Sequence, residues 1–389
     1  MLIFGLIENI KGISYPLIRD EFNATWDQQG LMVSVLSAAY VSFSVIAGIF
    51  ISRFGIKPSL LLGYTALSVG LFSVFFSPGF FPAVAALFLV FAGFGFFEVG
   101  VNALASGLFL KKTALLMSIL HAFYGIGAML GPGAAGLVIR NADFGWRHAY
   151  LFSLPLALLF FIPMIFTPFR ERPFRESRLQ KSGNDENSFQ RKTFFDALKS
   201  PMVWLFSVTT GFAIIIEMST PNWGVMYFFD IYEIDPGTGG AAFLSRFFLL
   251  FTLSRLICGL FVEKIGYMKT LLGIAVIVLI IFCVGFFLGE KGIIILPALG
   301  FFIALLWPTL MAVSVCCFGK DAPVFSSAII AIGGLMNAVV QYLVGITNHI
   351  FGPAWGYRST IVYTVLLIAM LLLLWKKLKT QGTVYPLKF

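Results

Sequence analysis

The sequence predicts an all-α integral membrane protein of twelve transmembrane helices, arranged as two pseudo-symmetric six-helix bundles. Three observations carry that prediction. The 389 residues are 59% hydrophobic and only 12% charged, about half the charged share of a soluble globular domain. Twelve apolar runs, each about as long as a membrane-spanning helix, begin near Met1, Leu31, Ser59, Pro82, Ala114, Ala149, Met202, Ala241, Met268, Ile293, Val324 and Thr360. The chain also repeats itself. Gly48-Ile-Phe-Ile-Ser-Arg53-Phe-Gly55-Ile-Lys57-Pro58 returns at an offset of 211 residues as Gly259-Leu-Phe-Val-Glu263-Lys264-Ile-Gly266-Tyr-Met-Lys269, and Ile7-Glu8-Asn9 returns as Ile216-Glu217-Met218 at an offset of 209. A duplicated six-helix unit follows. It divides the chain into a bundle over 1–168, a linker over 169–200, a second bundle over 201–376 and a tail over 377–389. The runs lack strand-period alternation, which argues against an outer-membrane barrel.

The net charge of +9 is distributed unevenly. With Met1 on the cytoplasmic side, 19 of 27 Lys and Arg fall in cytoplasmic segments, and five (Arg19, Arg140, Arg147, Lys291, Arg358) in external loops. Lys11, Arg246 and Arg255 lie within spans. This positive-inside bias predicts a multi-pass cell-membrane protein with both termini and the linker in the cytoplasm, and it accounts for the basic excess without nucleic acid. Cys258, Cys283, Cys316 and Cys317 all lie in apolar helices and read as packing residues, so no disulfide framework, metal site or cofactor is expected.

The first span opens directly at Met1 and is about 18 residues long, which suggests that the true start lies upstream. Its Glu8 and Lys11 are three apart and share a helix face, as a local ion pair or as part of a transport path. The second span ends in the basic turn quoted above, where a glycine makes the tight turn and a proline starts the next helix.

The fourth span holds Gly95-Phe-Phe-Glu98-Val-Gly-Val-Asn102, with Glu98 near its middle. The next charge toward the C-terminus, Lys111, is thirteen residues on, or roughly 20 Å along a helix. An acid at that depth costs about 3 kcal/mol or more unless it is neutral, paired or facing water, which makes it a functional candidate. Asn102 shares its face at i+4. Gly93, Gly95 and Gly100 allow close helix approach on other faces. In the fifth span Gly127 and Gly131 form a close-packing face with Tyr124 and Pro132 nearby, and His121 is either a hydrogen-bonded structural residue or a proton carrier.

The linker, PFRERPFRESRLQKSGNDENSFQRKTFFDALKS, is the one long polar stretch. It reads as a surface segment that separates the halves. In the seventh span Glu217, Pro221, Asn222 and Trp223 interrupt an apolar helix, as expected where a broken helix lines a cavity. Arg255 in the eighth span is expected to belong to the Glu263/Lys264 turn, and Arg246 to pair with Asp230 or Asp235. Asn337 and Gln341 sit at i, i+4 in the eleventh span, where they tie helices together or bind a hydroxylated ligand.

Two homologous halves of six spans, the glycine-Arg turn with its echo, and the long central loop resemble the major facilitator superfamily across the whole chain. That family's turn carries an aspartate where Ser52 stands here, while Arg53, Gly55 and Lys57 match and the echo supplies Glu263 in the acid position. The resemblance makes Gly48, Arg53, Gly55, Lys57, Gly259, Glu263, Lys264 and Gly266 the gating turns. Within the superfamily, Gly95 to Asn102 is similar to the fourth span of the fucose, galactose and glucose proton symporters. Ile216-Glu217 with Asn222 downstream is similar to the seventh span of bacterial glucose/mannose members. The resemblance implies that Glu98 is the proton-coupling carboxylate and that Asn102 and Glu217 line the sugar site. Asn222, Trp223, Asn337, Gln341, Glu8 and Tyr124 complete the candidate substrate site. Fucose symporters carry an aspartate in span one where this chain has Gly12, with Glu8 a turn earlier.

The expected function is therefore transport of a small solute, a sugar or related polar metabolite, by proton-coupled alternating access, and not an enzymatic activity. Its partners are a small-molecule substrate, protons and membrane lipids, and a monomer is expected. The alternative is a proton-driven exporter of amphiphilic drugs or lipids, which the 45 Phe residues would suit. A non-transporting receptor or scaffold would not need buried acids in both halves.

Overall fold

A computed structural model describes residues 1–108, 113–141, 143–168, 194–257, 262 and 264–380. Gly259 and Glu263 of the repeated turn, Cys258 and most of the linker lie outside the described residues. Every regular element among the described residues is helical. Span one is the pair Leu2–Glu8 and Lys11–Glu21; spans two to six are Trp26–Phe54, Ile56–Phe75, Phe80–Leu108, Thr113–Ile139 and Trp146–Phe166. Spans seven to twelve are Pro201–Tyr232, Pro236–Ile257, Tyr267–Phe287, Gly289–Phe318, Ala322–Phe351 and Trp355–Thr380. Among the described residues, spans two to twelve are the 11 helices long and apolar enough to cross a membrane.

Several helices begin before their apolar run because polar residues cap them. Span two starts at Trp26, not Leu31, since Gln28 Oε1 accepts the Thr25 backbone N–H at 3.0 Å and so satisfies a donor at the helix start. The repeat is visible in the backbone. Gly55 and Gly266, which join spans two to three and eight to nine, have φ of 96° and 99°, a region that glycine enters without steric cost. The hydroxyl of Ser14 meets that of Tyr150 at 2.8 Å, tying span one to span six. Its counterpart in the second half is Thr220 with Tyr357 at 3.0 Å, tying span seven to span twelve.

Span seven is continuous rather than broken. Its interruption is a single π-helical turn over Thr220–Gly224, a form that occurs often at functional sites. Span one does part, at Asn9 and Ile10, close to the repeat-equivalent place, and spans six and ten are also interrupted, at Phe152–Ser153 and Ala304–Leu305. Asn9 Nδ2 caps the break from within by donating to Gly5 O at 2.8 Å.

Both described ends of the chain lie on one side of the bundle, here the termini side. Within the first half, span four packs on spans two and three, and span one on span five. Gly127 and Gly131 do form a close face, and it is turned to Leu2 and Leu6 of span one. The halves meet along two seams, span two on span eleven and span five on span eight. At the first seam a Cβ on Gly30 would come 2.8 Å from Gly345 Cα, so only glycine permits that approach.

The seam is closed at the far side. There Lys11–Glu21 packs on Val225–Tyr232 and on the π turns Thr220–Gly224 and Pro236–Gly240 of the other half. Ion pairs join Arg19 to Asp230 and His349 to Asp27, the latter at 3.2 Å. At the termini side span four and the Leu306–Phe318 part of span ten make their principal contacts within their own halves. The gap between the halves therefore opens toward the termini side.

Candidate functional site

Glu98 stands ten residues from the termini-side end of span four and is partly exposed. Its hydrogen-bond donor is the Tyr40 hydroxyl of span two. Gly95 makes the contact possible, because a Cβ there would come 2.7 Å from Tyr40 O and 2.8 Å from Ser44 N. Gly93 and Gly100 face span three instead, against Leu67 and Leu60. Asn102, one turn beyond Glu98, has its Oδ1 buried without a partner.

Glu8 and Lys11 form the expected ion pair at 3.1 Å. Glu8 also accepts a 2.6 Å bond from the Tyr124 hydroxyl of span five, so both of its oxygens are engaged. Lys11 is only 5% exposed and lies 5.3 Å above the Phe91 ring. Position 12 could not hold an aspartate in this arrangement, since a Cβ on Gly12 would come 2.7 Å from Pro221 O.

In the second half Trp223 Nε1 donates to Gln341 Oε1 at 2.6 Å, and Gln341 Nε2 donates to Asn337 Oδ1 at 2.9 Å. All three side chains are buried. In this state the amide pair ties span seven to span eleven. Asn222 is buried beside the π turn with its Oδ1 unsatisfied.

Arg255 corrects the sequence reading. It reaches Glu217 of span seven at 3.7 Å and lies 4.3 Å from the Phe251 ring, which places it at the gap, while Glu263 of the turn lies outside the described residues. Asp230, a suggested partner of Arg246, is instead held by Arg19, and Arg246 is exposed on the outer side of span eight.

Glu98 lies within electrostatic reach of both Glu8 and Arg255, and Glu217 of the same two. His121 of span five is within reach of Arg255. One cluster of titratable groups thus extends over spans one, four, five, seven and eight, around the gap between the halves. Each of these groups sits where charge is costly in a bilayer.

The turn residues are placed differently. Lys57 Nζ donates to Ile165 O at 2.8 Å and Thr167 O at 2.9 Å, joining the start of span three to the end of span six within one half. Ser52 Oγ bonds Ile49 O of its own helix at 2.7 Å. Arg53 and Lys264 are exposed. Gly48 has open space around it, so the turn's conformational demand falls on Gly55.

Among known proteins, the Major Facilitator Superfamily profile matches residues 1–322. The chain belongs to the major facilitator superfamily. It is a multi-pass membrane transporter and not an enzyme. It is 23% identical over 401 residues to the "Putative glucose/galactose transporter" of Helicobacter pylori strain 26695, covering 95% of this chain and 93% of that one. It is 22% identical over 348 residues to the glucose/mannose transporter of Bacillus subtilis, covering 88% and 84%. The solved E. coli fucose:proton symporter has the same fold, with a TM-score of 0.62 at 16% identity and 96% of each chain covered.

Among the contacts not foreseen, four involve charged residues of the site and the seam: Tyr40 with Glu98, Arg255 with Glu217, Arg19 with Asp230, and Asp27 with His349. A signal existed for the third. Arg19 and Asp230 are 211 residues apart, the repeat offset itself, and equivalent residues of two halves can meet only on the pseudo-symmetry axis. The other three join residues that no spacing relates.

Proposed function

We propose that the chain carries a small polar solute, a sugar or related metabolite, across the cell membrane by alternating access coupled to protons. Glu98 would be the proton carrier. The observation that carries the reading is a partly exposed acid in the middle of span four whose hydrogen-bond donor is a neutral hydroxyl. Such a group can take up and release a proton without breaking an ion pair of its own. Asn102, Glu217 and Asn222 would present polar atoms to the solute. Glu8, Tyr124, Trp223, Asn337 and Gln341 would support that wall through the bonds described above.

The H. pylori and B. subtilis relatives are named for sugars, which supports a sugar here. The E. coli neighbour is a fucose:proton symporter, which supports proton coupling. With the termini cytoplasmic, as the positive-inside charge bias argues, the gap opens inward. The halves would be 1–168 and 201–376, joined by a cytoplasmic linker over 169–200 and followed by a cytoplasmic tail over 377–389, working as a monomer in membrane lipid. An exporter of amphiphilic cargo would need an apolar wall, and the cluster of titratable groups around the gap favours a polar solute.

The test is transport into proteoliposomes. Under an inward proton gradient a hexose or related polar solute from a panel should accumulate and the lumen should acidify in step. Accumulation of amphiphilic dyes with no response to any polar solute would contradict the reading.

A further inference from the structure

The two sides of the seam are asymmetric in charge. The ion pairs that join the halves between described residues, Arg19 with Asp230 and Asp27 with His349, both lie at the far side. Around the termini-side gap an acid of the first half and a base of the second lie on opposite walls, Glu98 on span four and Arg255 on span eight.

Among the described residues Arg255 is not consumed by its present partner. Its contact with Glu217 is a single approach at 3.7 Å, longer than a hydrogen bond, and its side chain is 32% exposed. A guanidinium has five donors in a planar fork suited to a carboxylate. On the helical wheel Arg255 falls on the side of span eight that carries Leu244, whose methyl packs at Gly12 of span one. That side faces the other half.

We propose that Arg255 is the lock of the opposite state: when the halves rock together at the termini side, it leaves Glu217 and closes on ionised Glu98. This deepens the proton-coupled reading and rests on it. Loss of the proton from Glu98 into the open gap creates the charge that draws Arg255 across, so the emptied carrier closes at the termini side and opens at the far side. A proton arriving from the far side discharges Glu98 and releases the lock.

The groups facing the pair fit this order. Tyr40 on span two and Tyr124 on span five are neutral hydroxyls, and Glu8 on span one is already engaged by Lys11 and Tyr124. His121 on span five and Glu217 on span seven are further titratable neighbours within electrostatic reach of Arg255, and the amino terminus at Met1 lies within reach of His121.

The test is a spin-label distance between cysteines placed at exposed Ser106 of span four and Ser327 of span eleven, with the four native cysteines changed to serine. The reference chain should show one wide distance at pH 5.5 and gain a shorter one at pH 8.5. Arg255→Gln and Glu98→Gln should lose the shorter population by about tenfold, and Arg255→Lys should retain most of it. If Arg255→Gln closes as fully as the reference at pH 8.5, the lock is wrong. Proteoliposome accumulation by the same variants separates the two ideas. Loss in Glu98→Gln alone leaves proton coupling standing without the lock, whereas normal accumulation in Glu98→Gln overturns both.

Discussion

At the far side of the molecule the halves are joined by two ion pairs, and Arg19 of one of them is further held within its own half by lying 4.0 Å above the Trp26 ring. At the termini side the same halves present Glu98 and Arg255 on the walls of an open gap. The difference lies in how each side depends on protons. Arg19 and Asp230 form a largely buried pair on elements that pack across the seam, so the far-side closure is set mainly by geometry. Closure of the termini side would depend on whether Glu98 holds its proton.

The comparison is broken most severely by steric means. A leucine at Gly30 would push its Cβ to 2.8 Å from Gly345 Cα, an overpacking penalty of about 3 kcal/mol. The far-side-closed state should then fall about a hundredfold, read as maleimide labelling of a cysteine at Leu244, which is buried against Gly12 in this state. Unchanged labelling would show that this seam does not hold the closed state.

Asp230→Asn keeps the shape of the far-side contact but removes one charge from a pair whose side chains are each 13% exposed. The expected loss is about 2 kcal/mol, or about thirtyfold in the closed population. A smaller shift than that from His349→Ala would reverse the ranking of the two pairs.

Tyr40→Phe removes the donor that positions Glu98, worth about 1.5 kcal/mol. It should slow proton-driven accumulation about tenfold, and a rate within twofold of the parent would make Tyr40 a packing residue.

The smallest effect belongs to His349. Its side chain and that of Asp27 are 56% and 45% exposed, so the pair contributes about 0.5 kcal/mol or less. It exists as an ion pair only when the imidazole is protonated. His349→Ala should therefore favour far-side opening by about twofold at pH 5.5 and leave it unchanged at pH 8.5.

The fold was legible because each of its determinants is local in sequence: apolar length, basic turns, and a repeat spelled out at Gly55 and Gly266. The span boundaries moved by a few residues where capping groups such as Thr25 extended a helix past its apolar run. In the site, Glu98 was conspicuous as an acid in the middle of an apolar span, and the Glu8–Lys11 pair by its i, i+3 spacing. Tyr40 and Arg255 were not, because their importance arises only when spans two and four, or seven and eight, pack. The π turn in span seven was read as a break, since Pro221 removes a backbone donor and sequence does not show that the helix rejoins after one wide turn.

The most direct test of the account is Glu98→Gln in proteoliposomes loaded with the transported solute. The amide resembles the protonated acid in shape and charge, so exchange of labelled for unlabelled solute should continue. Accumulation driven by an inward proton gradient should be lost. Accumulation at the parent's level would contradict the account and make Glu98 a structural acid.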